Sequence, residues 1–241
     1  PLARIEAGQW GAFSVGDFTG DGNPDIAFND DFSDTVQILA GKGDGAFEPA
    51  AALAPGGAIA LAAADFNGDG IQDLAALRAS GITVYAGSRT AITESGRYET
   101  LAAALHLLTG DFDGDSRPDL IAGTGGQLGL LLNTGAGSFR PVPVSAGSLN
   151  FWRTTPMAIA DFDRDGKDDI VITAGYYRLE GGLGPGLVLM SNGDGSFQRL
   201  ELPLARGTVA LAVEDWDEDG NPDILLLNGI TGAVTIMRNE R

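Results

Sequence analysis

The stretch "ADFDRDGKDDIVIT", Ala160 to Thr173, sets five acidic side chains within nine residues and follows them directly with β-branched apolar ones. So much like charge in one place is unfavourable unless a cation sits among it. The phrase is one of five. It recurs as "DFTGDGNPDIAF" from Asp17, "DFNGDGIQDLAAL" from Asp65, "DFDGDSRPDLIAG" from Asp111, "DFDRDGKDDIVIT" from Asp161 and "DWDEDGNPDILLL" from Asp215, in steps of 48, 46, 50 and 54 residues. A weaker phrase trails it: "GDGAF" at Gly43, "GAGSF" at Gly135, "GDGSF" at Gly193 and, decayed, "SGRYE" at Ser95.

Each unit divides into four short apolar or alternating runs bounded by turn residues, which read as strands. In the fourth unit these are "MAIADF", "DIVIT", "GLVLMSN" and "FQRLELPL". A strand-only repeat of about 45 residues with four strands is the pattern of a propeller blade. A β-solenoid would favour shorter repeats, and two stacked sandwiches would lack the fivefold period. The expected fold is therefore all-β, a five-bladed β-propeller of four antiparallel strands per blade, occupying residues 1–241 as one domain. Aligned on the loops, Pro1 stands level with Pro49 and Arg241 level with Gly43. The N-terminal strand "PLARIE" is thus expected to close the last blade beside "AVTIMR" (Ala233–Arg238), removing an open sheet edge. A larger propeller cut at a repeat boundary is the alternative.

The chain carries 33 acidic and 15 basic side chains, a formal charge of −18. That balance argues against a nucleic-acid backbone or an anionic membrane surface as partner. No apolar run approaches the ~20 residues that span a bilayer, so no membrane insertion is expected. Cysteine is absent, which excludes disulfides, thiol catalysis and a cysteine-bound zinc.

Within the loops, oxygen-bearing side chains recur at relative positions one, three, five and nine, and glycine holds position six in all but the third. Alternate residues of a tight loop can converge on one centre, a backbone carbonyl at position seven can join them, and position six must turn sharply, with φ above zero. Six to eight oxygens, without histidine or thiol, suit calcium. The fourth and fifth loops offer complete sets: Asp161, Asp163, Asp165, the Lys167 carbonyl and Asp169; and Asp215, Asp217, Asp219, the Asn221 carbonyl and Asp223. The third offers Asp111, Asp113, Asp115, the Arg117 carbonyl and Asp119, but with Ser116 at position six, where a left-handed backbone would be strained. The second has Asp65, Asn67, Asp69, the Ile71 carbonyl and Asp73; the first has Asp17, Thr19, Asp21, the Asn23 carbonyl and Asp25. Three to five structural Ca²⁺ are expected, tying strand one to strand two of each blade. Five would bring the formal charge from −18 to −8.

Phrases of the form D-F-x-G-D-G-x-x-D-[IL] followed by G-[DA]-G-[SA]-F resemble the FG-GAP, or VCBS-type, repeats found in integrin α-subunit propellers, in a mushroom N-acetylglucosamine-binding lectin and in many bacterial secreted proteins. The resemblance covers essentially the whole chain and implies a calcium-binding propeller. It departs in having five blades where the integrin and lectin propellers have seven.

In a propeller the acidic loops and the three-to-four turns share one face, leaving the opposite face for recognition. Two long connections map there, "AGSLNFWRTTP" and "AGYYRLEGGLGPG", carrying Phe151, Trp152, Arg153, Tyr176, Tyr177, Arg178 and Glu180. Aromatics beside polar groups suit stacking on a sugar or gripping a peptide, although they also suit packing between blades. Trp10 lies on the equivalent link into the first blade. His106, the sole histidine, falls on the innermost strand of the third blade, where the other units have alanine or proline. No recurring carboxylate pair is left over for glycosidase chemistry, and no nucleophile elbow or phosphate loop is present. The reading is a secreted or cell-surface, non-catalytic, lectin-like module whose partner is a glycan. An integrin-like protein-adhesion module and an accessory domain of a larger polysaccharide-active enzyme are the alternatives.

Overall fold

The computed structural model describes residues 12–30, 32–101, 103–124, 126–146, 156–173, 186–202 and 208–240. Among them there are strands and turns but no α-helix, as the all-β reading expects. Five antiparallel sheets follow in chain order. The first comprises β1 (Phe13–Gly16), β2 (Asp25–Asp30), β3 (Thr35–Gly41) and β4 (Phe47–Leu53). The second holds β5 (Ala60–Ala64), β6 (Asp73–Arg78), β7 (Gly81–Ala86) and β8 (Thr93–Tyr98). The third holds β9 (His106–Gly110), β10 (Asp119–Gly123), β11 (Leu128–Gly135) and β12 (Ser138–Val142). The fourth holds β13 (Met157–Ala160), β14 (Asp169–Ile172), β15 (Gly186–Ser191) and β16 (Phe197–Leu202). The fifth has three described strands, β17 (Thr208–Glu214), β18 (Asp223–Asn228) and β19 (Val234–Met237).

In every sheet the strands are hydrogen-bonded in chain order, the meander that short antiparallel strands joined by turns produce. An acidic loop joins the first strand of each sheet to the second, and the register is held to the end of the pair: Gly16 faces Asp25, Ala64 faces Asp73, Ala160 faces Asp169 and Glu214 faces Asp223. The ninth loop residue is therefore also the first residue of the second strand.

The second strands β6, β10 and β14 are buried along their whole length, because both faces of the sheet are covered there. Their near-continuous apolar sequences follow from that. The fourth strands β4, β8 and β16 are largely exposed; the outward residues of β8 and β16 are polar, whereas those of β4 are Glu48, Pro49, Ala50 and Ala52.

Chain contacts divide the protein into two compact units, Pro1–Thr109 with Asn133–Arg140, and Gly110–Leu132 with Pro141–Arg241, with the third sheet shared out between them. In the first unit one core is built from both of its sheets and the loop between β1 and β2: Phe18 from that loop, Ala27, Val36, Ile38 and Leu53 from the first sheet, and Leu61, Leu74, Ala76 and Tyr85 from the second. In the second unit Phe162, Val171, Val188 and Met190 pack with Ile224 and Leu226 of the fifth sheet.

"SGRYE" does not replace the three-to-four turn of the second unit, because Ser95–Tyr98 lie inside β8. The turn is the segment 87–92, organised by Ser88, whose Oγ donates to the Ala91 carbonyl (2.6 Å) and accepts from the Ala91 N–H (3.0 Å). Gly96 is a strand glycine: a Cβ there would stand 2.7 Å from the Tyr98 hydroxyl, so the missing side chain makes room for the ring. "PLARIE" lies outside the described residues.

Candidate metal centres

Each acidic loop is wound around its own first aspartate. Asp17 accepts from the backbone N–H of Asp21 (3.1 Å) and Gly22 (2.8 Å); Asp161 from Asp165 (3.2 Å) and Gly166 (3.0 Å); Asp215 from Asp219 (3.1 Å) and Gly220 (2.8 Å). Asp65 and Asp111 hold the same positions and add the N–H of Gly68 and Gly114. The residue at position five then accepts from the N–H of position seven: Asp115 from Arg117 (3.0 Å), Asp165 from Lys167 (2.9 Å) and Asp219 from Asn221 (2.7 Å).

So tight a winding needs two left-handed residues. Position six is one, with φ of +88° at Gly22, +84° at Gly70, Gly166 and Gly220, and +64° at Ser116, whose side chain makes that conformation strained. Position four is the other, at Gly20, Gly68, Gly114, Arg164 and Glu218, with φ of +60° at the last two. The sequence pattern does not single it out, because two copies lack glycine.

Position nine does more than close a ligand set. Asp25, Asp73, Asp119, Asp169 and Asp223 are all buried. One carboxylate oxygen accepts from the N–H of position two: Phe18 (2.9 Å), Phe66 (3.0 Å), Phe112 (2.9 Å), Phe162 (2.9 Å) and Trp216 (3.2 Å). The other oxygen accepts from the end of the third strand, at Gly41 (2.9 Å), Gly87 (2.9 Å), Ser191 (2.8 Å) and Asn239 (2.9 Å). One side chain thus fastens the loop, the second strand and the third. Burial is the main reason that Asp73 and Asp169 are pushed up to about 6.

The third-strand ends also reach the preceding loop. Asn133 Nδ2 donates to the Phe66 carbonyl (2.8 Å), Ser191 Oγ to the Phe112 carbonyl (2.7 Å) and Asn239 Nδ2 to the Phe162 carbonyl (2.8 Å). Position eight adds a second tie in two places. The Gln72 N–H donates to the Asp17 carbonyl (3.1 Å) and the Asp168 N–H to the Asp111 carbonyl (2.7 Å), while the Asp111 N–H returns a bond to Asp168 Oδ2 (2.8 Å). No fixed spacing marks Asn133, Ser191 and Asn239, which fall 14, 22 and 16 residues after position nine as the intervening hairpin changes length.

Carboxylate oxygens converge in three loops. In the sets Asp111, Asp113, Asp115; Asp161, Asp163, Asp169; and Asp215, Asp217, Asp223 they all lie within 4.8 Å of one another. One hard cation with bonds of about 2.3–2.6 Å can touch all three at that spacing. Two position-three oxygens are buried without any hydrogen-bond partner, Asp113 Oδ1 and Thr19 Oγ1. An orphaned buried acceptor is costly unless something positive meets it. Burial, reinforced by Asp115 and Asp111, holds Asp113 above the usual carboxylate range. The oxygen-only sets and these orphaned atoms fit a divalent cation. In the first two loops Thr19 and Asn67 give neutral oxygens at position three; Asn67 Oδ1 also accepts from the Asp69 N–H (2.8 Å).

Loops three and four carry a cation of their own. Arg117 and Lys167, at position seven, pair with Asp115 and Asp165 at position five. The hydrogen bond to Asp165, and then the charges of Asp165, Asp163 and Asp169, raise Lys167 above the ordinary lysine range. Loop five has the neutral counterpart: Asn221 Nδ2 donates to Asp219 Oδ2 (2.9 Å).

Of the remaining expected site residues, Phe151, Trp152, Arg153, Tyr176, Tyr177, Arg178, Glu180 and Trp10 lie outside the described residues. His106 is half-buried at the start of β9.

Among curated proteins no significant sequence match is found. Among solved structures the chain is similar to an Agrocybe aegerita lectin that recognises non-reducing terminal N-acetylglucosamine, at 20% identity over 95% of this chain and 66% of that one, with a TM-score of 0.64. It is also similar to part of the Photorhabdus luminescens Tc holotoxin pore (19% identity, 98% of this chain, 12% of that one, TM-score 0.57) and to a Lactobacillus plantarum protein (13%, 89%, 67%, 0.52). At these identities the likeness is one of fold, and the chain spans just under two thirds of the lectin's length. The family model of the FG-GAP-like repeat matches residues 17–76 and 111–172, and that of the FG-GAP repeat matches residues 157–189. Those matches contain four of the five acidic loops, and with loops that are wound and latched alike, the chain belongs to the FG-GAP-like repeat family.

Proposed function

We propose that this chain is a calcium-stabilised, non-catalytic binding propeller of five blades that recognises carbohydrate outside the cell or at its surface. The observation that carries the calcium reading is the convergence of carboxylate oxygens in three loops, one of them around the partnerless Asp113 Oδ1. The ion would be held by positions one, three, five and nine with the carbonyl of position seven. Bound there, it supplies compensating charge, while the chain's own hydrogen bonds hold the loop in shape.

Ring closure is supported by the fifth sheet, which has three described strands where the other four have four. The segment "PLARIE" would add the fourth beside β19.

The carbohydrate reading is supported by the likeness to the Agrocybe lectin, whose ligand is a terminal N-acetylglucosamine. Phe151, Trp152, Tyr176 and Tyr177 would supply stacking, and Arg153 and Arg178 hydrogen bonds, on the face opposite the acidic loops; Trp10 is a further contact of the same kind. A glycan array probed with the protein in calcium tests this. Binding that is lost in Trp152→Ala and Tyr176→Ala is expected, and an array silent in calcium would overturn the glycan reading. The toxin likeness, in which the chain spans 12% of a longer polypeptide, favours as second reading a recognition module within a larger protein.

A further inference from the structure

We infer that Lys167 in the fourth loop, and Arg117 in the third, are tethered counter-cations that compete with the divalent ion and divide the five loops into weak and tight sites. The inference rests on the calcium reading above and deepens it. Both side chains leave position seven and return to the carboxylate at position five of their own loop, one of the groups that would bind the ion.

Lys167 is the stronger case. Its side chain is only 19% exposed, so solvent and salt screen it less than an ordinary surface pair. Its stem runs beside the third loop, with Cγ 3.1 Å from where a Cβ on Gly114 would stand, and Cδ comes as near to the equivalent point on Gly193. Packed in this way, the ammonium lies in the field of Asp165, Asp163 and Asp169 together. Three of the four carboxylates expected to ligate the ion in loop four therefore already face a positive charge.

The loops themselves provide the comparison. Position seven is Asn23 in the first loop, Ile71 in the second and Asn221 in the fifth. Asn221 makes the same contact with position five as Lys167 and Arg117 do, through a neutral amide. Loop five, with four aspartates and a neutral residue at seven, is then the tight site: the cation that pairs with it from outside the loop, Arg238, stands 3.6 Å from Asp217 on a side chain 65% exposed, so solvent screens it far more than Lys167. Loops three and four have the same number of aspartates but must have a cation displaced before an ion can enter. A unit charge about 5 Å from a divalent ion weakens its binding roughly tenfold even at the dielectric of water.

Lys167→Asn and Arg117→Asn test this, since each installs the residue that loops one and five already use. Arg97→Asn, whose ion pair is with Glu94, controls for net charge. Calcium titration calorimetry of each variant after stripping should show one ion moving into the tight class, with at least about tenfold higher affinity, for Lys167→Asn and for Arg117→Asn but not for the control. Melting gives a second readout. Lys167→Asn should melt below wild type without ions, having lost its counter-charge, and at or above wild type in saturating calcium. Unchanged affinity, or melts shifted the same way with and without calcium, would overturn the inference while leaving the calcium reading intact. No calcium binding by any of the proteins would overturn both.

Discussion

Gly70→Ala separates backbone conformation from packing. Gly70 has φ of +84°, and a Cβ there would meet no atom within 4 Å, so the substitution introduces no clash. What remains is the left-handed backbone, which costs an L-residue roughly 1–2 kcal/mol. Alanine returns about half of that by restricting the unfolded chain. The net loss is about 1 kcal/mol, or about 2–4 °C in Tm for a chain of this size. Ser116 occupies the same loop position at φ +64°, so Ser116→Gly should gain about what Gly70→Ala loses. Being in separate loops, the two changes should add, leaving the double variant near wild type. Thermal melting followed by circular dichroism in saturating calcium measures all three. A Gly70→Ala protein as stable as wild type, or a Ser116→Gly protein that is less stable, would refute the left-handed position six on which the winding of the loop depends.

Two further outcomes follow from the position-nine latch. Asp169→Ala leaves the buried N–H groups of Phe162 and Ser191 without an acceptor. At ~1–3 kcal/mol for each donor, stability in calcium should fall by about 4 kcal/mol. Asp194→Ala, at an exposed turn, should change it by less than about 1 kcal/mol, and equal losses in denaturant titrations would contradict the latch. Asp73 and Asp169, pushed up to about 6, hold a proton more firmly folded than unfolded. Their contribution is therefore full below about pH 4 and lost as pH rises through about 6. Protein stripped of divalent ions should accordingly gain stability from these groups between pH 7 and 5.5, whereas calcium, by compensating the carboxylates, should abolish the gain. A stripped protein whose Tm does not rise over that interval would contradict the assignment.

The acidic loops and the strands around them were legible in the sequence because charge, glycine and apolar runs recur there in register. Position four was not, because Arg164 and Glu218 hide a left-handed residue behind ordinary side chains. Position nine read as a ligand, and its spacing fits one. Its bonds to the third-strand ends could not be read, since they join residues separated by hairpins of differing length. In the second unit Gly96 resembles a turn glycine in sequence, whereas in β8 it accommodates the Tyr98 ring. Asn133, Ser191 and Asn239, which dock one repeat on the loop before it, look in sequence like ordinary polar residues at a strand end. Their partners are backbone carbonyls, which carry no sequence signature.

The most direct test of the account is calcium titration of the stripped wild-type protein by calorimetry, with a melt at each end point. Binding of three to five ions, accompanied by a rise in Tm, is the predicted result. An absence of binding heat, with the same Tm in chelator and in calcium, would mean that the acidic loops are solvated turns held by their own hydrogen bonds, and would contradict the calcium-stabilised propeller.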